Sequence, residues 1–312
     1  TEAQAFAIEC SSFRLEHTEQ FRAQASAWLN IAPDHIDWHG SFESYAEAKM
    51  SILDRASTGV FNAGDPEVLV RATNWQGRKV FFSLETPGLG ELGVVEDLLV
   101  DRAFVVDPHE AFILADVVDV FPTVPHNVSN ALAAAGLART IGVDHQSIQR
   151  AIRNFKPGSH RIETILVRDE ITWIDDSKAT NPHAAAASLL GTLSAIWIAG
   201  GLVKGAQMDQ LVERCKPRIK AAILIGIDRE LIAAELRLQV PNVEIIYIDA
   251  DSAYVKGGAS NSLMEAVVSA ARSRASAGDT VLLAPACASM DQFISYADRG
   301  DRFAAAVMKE NS

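Results

Sequence analysis

Cysteine is scarce in this chain, and the little there is does not pair by spacing. Cys10, Cys215 and Cys287 lie far apart among 312 residues and form no CxxC. An odd, scattered set argues against a disulfide framework and for a reducing compartment such as a cytoplasm. Positive charge is also short. Lys and Arg number 28 against 40 Asp and Glu, a formal net charge of −12. That balance excludes general binding to a nucleic-acid backbone, so any nucleotide needs a local site. No Gly-Lys pair occurs anywhere, so the chain carries no GxxxxGK[ST] loop to cradle phosphates. Long apolar runs are missing too: a run such as residues 221–227 is far too short to span a bilayer. No basic segment followed by an apolar one opens the chain, and neither does a methionine, so a fragment of a longer protein is expected. Internal repeats are absent.

What is present is enough apolar content, 48%, for real cores, and a length that suits two domains. Strand-like and helix-like segments alternate, which predicts an α/β fold with mostly parallel sheets. In the first part the pattern predicts strands over residues 6–10, 27–31, 59–62, 79–83 and 112–115, with Val105 extended. Helices are expected over residues 41–56, 126–140 and 144–154. Lys156-Pro157-Gly158-Ser159 is polar and rich in turn formers, and sets the expected boundary between domains 1–156 and 157–312. Beyond it the rhythm predicts a doubly wound domain. Its strands fall at 164–167, 172–174, 195–199, 221–225, 243–246 and 280–283, and its helices at 182–190, 208–216, 229–238, 262–275 and 293–309. The glycine-rich segment 256–260 reads as a flexible loop.

The most informative stretch runs from Ile174 through Asp175, Asp176, Ser177, Lys178, Ala179, Thr180 and Asn181 to Pro182. An apolar strand ends in polar side chains, and a proline then opens an alanine-rich helix. Ligands of open α/β sheets bind at such carboxyl-terminal strand ends, so these acids, the lysine and the threonine are expected outside the core. Two more edge loops follow later strands: Gly200-Gly201-Leu202-Val203-Lys204-Gly205, and Pro285-Ala286-Cys287-Ala288-Ser289-Met290-Asp291-Gln292-Phe293. Glycines in the first allow close approach of backbone to a ligand. Small residues in the second are expected to leave a helix N-terminus free for an anion. One pocket seeing Lys178, Thr180, Lys204 and Ser289 would be basic and would suit a small dicarboxylate. The plainer alternative is a set of tight turns with incidental polar residues.

Arg161, preceded by His160, lies just past the linker, and from position alone reads as a solvated surface residue. In the first part, Glu9 and His35 close predicted strands, and Lys49 sits on the helix just beyond. Carboxylate and imidazole can hold a divalent ion, although Asp34, Asp37 and His39 crowd the same loop. His35 alone reads as a capping or core histidine, and an ammonium at Lys49 would repel the ion. Asn127 and Asn130 could meet a base edge, but asparagines at a helix start read first as caps.

These motifs, in this order, resemble the Mur ligases. The resemblance rests on Glu9-Cys10-Ser11-Ser12-Phe13, Ala32-Pro33-Asp34-His35, Tyr45-Ala46-Glu47-Ala48-Lys49, His126-Asn127-Val128-Ser129-Asn130, His160-Arg161-Ile162-Glu163, the Asp176–Asn181 segment and the Pro285–Phe293 segment, and it spans nearly the whole chain. It implies a central ATPase-type domain, partial here, followed by a Rossmann-like domain that binds the amino acid. It implies ATP and Mg2+ as cofactors, and ATP-dependent amide formation through an acyl phosphate for peptidoglycan synthesis. The implied substrates are UDP-N-acetylmuramoyl-L-alanine and D-glutamate, handled by a monomer. Residue by residue, Glu9 and His35 would hold magnesium, and Lys49 would be carbamylated and support a second ion. Asn127 and Asn130 would meet adenine, Asp176 the ribose, and Arg161 the nucleotide across the cleft between the domains. Lys178, Thr180, Lys204, Ser289 and Met290 would surround D-glutamate. Tyr296 stands where the family commonly has phenylalanine, and Arg14 where glutamine is usual.

The family places its P-loop before the Glu9 strand. The resemblance therefore implies a P-loop and a uridine-nucleotide domain upstream of Thr1, and a chain inactive by itself. A non-catalytic fragment that binds D-glutamate or adenine nucleotide predicts the same pocket without turnover. A folate-polyglutamating relative is disfavoured by the Pro285–Phe293 segment, and a nicotinamide-linked oxidoreductase by the want of a dinucleotide fingerprint.

Overall fold

The computed structural model describes residues 5–249 and 261–312. It divides into two compact units, Thr1–Lys156 and Pro157–Ser312, with the break inside the Lys156-Pro157-Gly158-Ser159 linker. The glycine-rich segment 256–260 lies outside the described residues.

The first unit opens with a short helix α1 (Ser12–Glu16) capped by the Ser11 side chain. A six-stranded sheet follows, its strands in chain order: β1 (Ala25–Trp28), β2 (Thr58–Asn62), β3 (Arg78–Phe82), β4 (Glu91–Val95), β5 (Leu98–Asp101) and β6 (Phe112–Asp116). β1 to β4 are parallel, and β5 and β6 are antiparallel additions. Helix α2 (Ile36–His39), α3 (Phe42–Met50) and α4 (Pro66–Thr73) fall between the parallel strands, and α5 (Pro125–Thr140) and α6 (His145–Asn154) come last. Apolar residues cover both faces. Trp28, Leu53, Phe61 and Val68 make one core, and Val80, Leu92, Leu132 and Ile148 the other. Gly136 lets α5 lie close on β2, since a Cβ there would meet Val60 Cγ1 at 3.0 Å.

Two expectations fail here. Residues 6–10 form no strand. They pair with no ladder among the described residues, and Phe6 and Ile8 are 82% and 61% exposed. Apolar alternation alone makes no strand: without a partner strand the backbone groups stay unpaired. Val105 lies in a turn region, and the extended chain is instead in β4 and β5, hidden in sequence behind the Pro87-Gly88 turn. The spacing GxGxxG does occur, at Gly88, Gly90 and Gly93. It leads into strand β4 rather than a helix, so no helix N-terminus faces it and no dinucleotide fingerprint results. Gly93 is small for a packing reason: a Cβ there would sit 2.2 Å from the Glu85 carbonyl oxygen.

The second unit is a doubly wound sheet. Its strands are β7 (Glu163–Arg168), β8 (Ile171–Asp175), β9 (Ala195–Gly200), β10 (Ile219–Ile225), β11 (Glu244–Tyr247) and β12 (Thr280–Leu283), in the spatial order β11-β10-β9-β12-β8-β7. Among the described residues of this unit, β7 alone runs antiparallel. Helices α7 (Pro182–Leu190), α8 (Asp209–Cys215) and α9 (Arg229–Gln239) cover one face through Leu189, Leu211 and Ile232. Helices α10 (Asn261–Arg272) and α11 (Tyr296–Glu310) cover the other through Val267 and Phe303. β12 inserts between β9 and β8, so Leu283 pairs with Asp175 on one side and Ile198 on the other. The carboxyl ends of three strands are therefore adjacent where the winding reverses, the place where such sheets bind ligands.

One buried ion pair ties the antiparallel part of the first sheet to α5. Fully buried Asp101 accepts from Arg139 Nε at 2.8 Å and from the backbone N–H groups of Ala103 and Phe104 at 2.8 and 3.0 Å. Asp101→Ala strands the Arg139 cation and should cost about 3–5 kcal/mol in urea unfolding. A loss under about 1 kcal/mol would show that Arg139 finds another partner.

Candidate functional site

The three edge loops of the second unit are zipped together by their backbones. Ala286 N–H donates to the Ala179 carbonyl at 3.0 Å, joining the first loop to the third. Gly200 N–H donates to the Pro285 carbonyl at 2.9 Å, and Leu202 and Ala288 exchange bonds of 2.9 and 3.0 Å, joining the second to the third. The glycines serve this packing. A Cβ on Gly201 would sit 2.1 Å from the Ala288 carbonyl oxygen, and one on Gly200 1.9 Å from that of Ile225.

A buried arginine at the start of α11 gathers all three. Arg299 is 0% exposed. Its Nε donates to Ser177 Oγ at 2.9 Å, and one terminal nitrogen donates to the Ser177 carbonyl at 2.9 Å. The remaining N–H groups reach the carbonyls of Cys287 at 3.3 Å and Gly200 at 3.5 Å. Burial pulls its guanidinium down to about 10, while Cys287, Asp291 and Asp175 oppose that. Cys287 beside it is buried as well, its thiol pushed up to about 12 by burial.

The acids at the end of β8 are core residues, contrary to the expectation of a solvated edge. Asp175 and Asp176 are buried because each of their carboxylate oxygens has a hydrogen-bond partner. Asp175 Oδ2 pairs with His160 Nδ1 at 2.7 Å, and its Oδ1 accepts from Ser177 N–H at 2.8 Å. Asp176 accepts from the Ser188 hydroxyl and from Ile162 N–H at 3.3 Å. Burial raises both carboxyls. Asp175 is held back by its His160 and Ser177 bonds, while Asp176 reaches about 6 despite the bonds from Ser188 and Ile162. Gly300 makes the packing feasible: a Cβ there would lie 2.2 Å from His160 Nδ1 and 2.6 Å from Asp175 Oδ2.

The remaining expected side chains are placed on or near these loops. Lys178 Nζ stands 4.0 Å over the centroid of the Tyr296 ring, and the Tyr296 carbonyl accepts from Ser177 Oγ at 2.7 Å. Thr180 is half-buried beside Lys178, Ser289 is buried, and Lys204 and Met290 are exposed. Lys204 takes a left-handed backbone, φ 53°. Arg161 is exposed. The helix expected from Phe293 begins later, at Tyr296. Its N-terminus is closed by its own cap, with Ser295 Oγ accepting from Asp298 N–H and Asp298 accepting from Ile294 N–H.

In the first unit, Lys49 on α3 feels the carboxylates of Asp34 and Glu9. Burial pulls its ammonium below the ordinary lysine value, and these two carboxylates push the other way. Its Nζ also stands 5.4 Å over the Tyr45 ring, whose phenol is pushed up to about 12 by burial and by Asp34. His35 heads α2 with φ 52° but makes no side-chain cap bond; its Nε2 lies 3.6 Å from Asp34 Oδ2. Phe13 packs edge-on against His35, with ring centroids 4.8 Å apart. Glu9, Asp34, His35 and Lys49 therefore form one electrostatic neighbourhood, and Asp34 belongs to it more firmly than sequence suggested. His39 is absorbed structurally by Ser12 at 3.0 Å and Glu16 at 3.7 Å. Asn127 is not a helix cap. Val124 holds that position, and Asn127 Nδ2 donates to the Pro122 carbonyl at 3.0 Å, while Asn130 is exposed one turn on.

Sequence reasoning missed Arg299, Gly300 and the His160–Asp175 pair. The one signal was an Arg-Gly couple on the inward side of an amphipathic helix, three and four residues before Phe303.

Comparison with known proteins follows the same division. Residues 1–138 match the Mur ligase middle domain, and residues 160–287 match the Mur ligase glutamate ligase domain. The UDP-N-acetylmuramoylalanine--D-glutamate ligase of Streptomyces avermitilis is 48% identical over 307 residues, covering 96% of this chain and 64% of its own length. That of Thermobifida fusca is 47% identical over 305 residues with the same coverage, 96% and 64%. The chain thus spans 64% of the length of these curated relatives. Among solved structures, a pseudomurein peptide ligase type C from Methanothermus fervidus superposes with a TM-score of 0.65 at 17% identity, covering 93% of this chain and 64% of that one. A MurF ligase from Thermotoga maritima in complex with ADP gives 0.60 at 17% identity, covering 93% and 62%. At that identity the two structures establish the fold.

Two outcomes follow from the buried network. A lysine offers one ammonium where Arg299 satisfies acceptors on three loops, so Arg299→Lys should cost about 3–5 kcal/mol in urea unfolding and speed amide exchange at Leu202 and Ala286. Unchanged exchange would mean the loops hold together without it. A carboxyl raised in the folded state favours folding while protonated. The contribution of Asp176 is therefore present below about pH 4 and lost as pH climbs through about 6. Between those limits the unfolding free energy of Asp176→Asn should gain on the parent by about 3 kcal/mol. A difference that does not vary with pH would show that Asp176 is not raised.

Proposed function

The chain belongs to the Mur ligase family, carrying its middle and glutamate ligase domains, and we propose that it is part of an ATP-dependent ligase joining D-glutamate to UDP-N-acetylmuramoyl-L-alanine in the bacterial cytoplasm. The observation that carries this reading is the match of 96% of the chain, at 48% identity, to a ligase whose name specifies D-glutamate. That match includes the loops gathered by Arg299.

D-glutamate carries two carboxylates and an amine. Lys178 and Lys204 supply ammonium groups for the carboxylates, and Thr180, Ser289, Met290 and Tyr296 complete the surroundings. Lys178 rests over the Tyr296 ring, which holds the ammonium near its working place at little cost in ordering. Asp176 and Arg161 serve the nucleotide, as a ribose acceptor and a phosphate fork. Asn127 and Asn130, one helical turn apart on α5, serve the adenine.

The residues around Lys49 fit a divalent ion by the chemistry of the donor set: carboxylates of Glu9 and Asp34 acting on one point, with the His35 imidazole beside Asp34. Glu9 and His35 would hold Mg2+, which when bound offsets charge on the transferring phosphoryl group. Lys49 fits only as an anion. Its lowered pKa leaves more of the neutral amine, which adds carbon dioxide to give a carbamate and releases a proton.

The ligation has two stages. A substrate carboxylate oxygen attacks the γ-phosphorus of ATP, ADP leaves, and an acyl phosphate forms. The D-glutamate amine then attacks the acyl carbon, phosphate leaves, and the amine gives up a proton as the amide forms. The protein orients the reactants and stabilises charge, the main contributions available in phosphoryl transfer.

In an enzyme of the relatives' full length, Lys204→Ala should raise KM for D-glutamate by about tenfold or more and leave KM for ATP within about twofold, the tenfold being about 1.4 kcal/mol. Equal effects on both would place the lysine elsewhere. Phosphate release that runs as fast with L-glutamate as with D-glutamate would sink the substrate assignment.

A further inference from the structure

Arg161 sits in a backbone that should not be stable on its own. The residues on either side of it are both left-handed: His160 at φ 64° and Ile162 at φ 49°. A β-branched residue such as Ile162 rarely adopts that conformation, and two left-handed residues flanking one side chain need outside support. The support is visible and specific. His160 Nδ1 is bonded to the fully buried Asp175 at 2.7 Å, and His160 N–H donates to Glu163 Oε2 at 2.9 Å. The His160 carbonyl accepts from Lys178 N–H at 3.1 Å, and Ile162 N–H donates to Asp176 Oδ1 at 3.3 Å. On its other side the imidazole meets Asp301 at 3.7 Å and the edge of the Tyr296 ring, centroids 6.3 Å apart. Gly300 keeps the helix backbone close enough to bury the pair.

We propose that the His160–Asp175 pair is a positioning device for Arg161, locking the strained turn that presents its guanidinium to the nucleotide. The inference rests on the nucleotide role given to Arg161 above. The pair also couples that turn to the Lys178 loop, because His160 binds one strand end through its ring and the next loop through its carbonyl. The His160–Glu163–Asp175 group has metal-ligand spacing. The Nδ1–Asp175 bond accounts for its geometry without an ion.

The experiment compares His160→Ala with His160→Asn. Asparagine tolerates the left-handed conformation, and its Nδ2 stands where the histidine Nδ1 does, so it can donate to Asp175. In an enzyme of the relatives' full length, His160→Ala should raise KM for ATP about tenfold, with His160→Asn restoring KM for ATP to within about threefold. Added to Arg161→Ala, His160→Ala should do little more, since the two act through one guanidinium. Additive losses, or no rescue by asparagine, overturn the proposal. Amide exchange on the present chain separates the two readings. Faster exchange at Ile162 and Lys178 in His160→Ala, restored in His160→Asn, establishes the lock directly, and unchanged exchange rejects it. If the lock holds but Arg161→Ala leaves KM for ATP unaltered, the nucleotide role of Arg161 has failed and the positioning of its turn has not.

Discussion

A guanidinium removed from water must have its donors satisfied, and the Arg299 guanidinium can meet that demand in one arrangement. Its acceptors are the Ser177 hydroxyl and carbonyl, the Gly200 carbonyl and the Cys287 carbonyl, on three loops far apart in the chain. Losing any one of them would leave a buried donor or a buried charge uncompensated. The loops are therefore held as a set. Backbone bonds between Ala286 and Ala179, Gly200 and Pro285, and Leu202 and Ala288 complete the same assembly. The proposed amino-acid ligands stand on or beside this platform and move only as far as it allows.

The buried acids extend the network toward the start of the unit. Asp175 and Asp176 leave water only because His160, Ser177, Ser188 and Ile162 replace it. The result is a hydrogen-bonded polar floor beside Arg161 and Lys178, with Gly300 as the clearance that lets α11 pack over it. The first unit uses burial differently. Around Lys49, partial desolvation opposes two carboxylates, leaving an amine less basic than usual among groups suited to an ion. In both units, burial of a charged group sets the chemistry available to it.

Much of this was legible beforehand, for reasons that differ by element. Pro182 after Asn181 predicted the start of α7, and Asn181 does cap it by accepting from Ala184 N–H. The buried parallel strands read as short apolar runs, and β9, 0% exposed at several positions, is the clearest. β4 and β5 lie inside the sheet between β3 and β6, yet each is only four or five residues long and the pair follows directly on a Pro-Gly turn, so neither carries a clear apolar signal of its own. Residues 6–10 show the opposite case, strand-like alternation that joins no ladder among the described residues. The helix expected at Phe293 begins three residues later because Ser295 provides the cap and Phe293 packs into the core instead. Asp175, Asp176 and Ser177 read as solvated since their partners are scattered from His160 to Arg299, beyond the reach of any local pattern.

Local composition determined the α/β class, the two units, the edge position of the polar loops and the residue types at the site. These depend on interactions within a few residues: periodicity, turn formers, and the switch from apolar strand to polar loop. Tertiary structure alone decided which polar groups are buried, that Arg299 binds three loops at once, that His160 meets Asp175, and that Lys178 lies over Tyr296. The reason is desolvation. Whether a charge can be buried depends on every partner it finds in space, and those partners are up to 122 residues away in the chain.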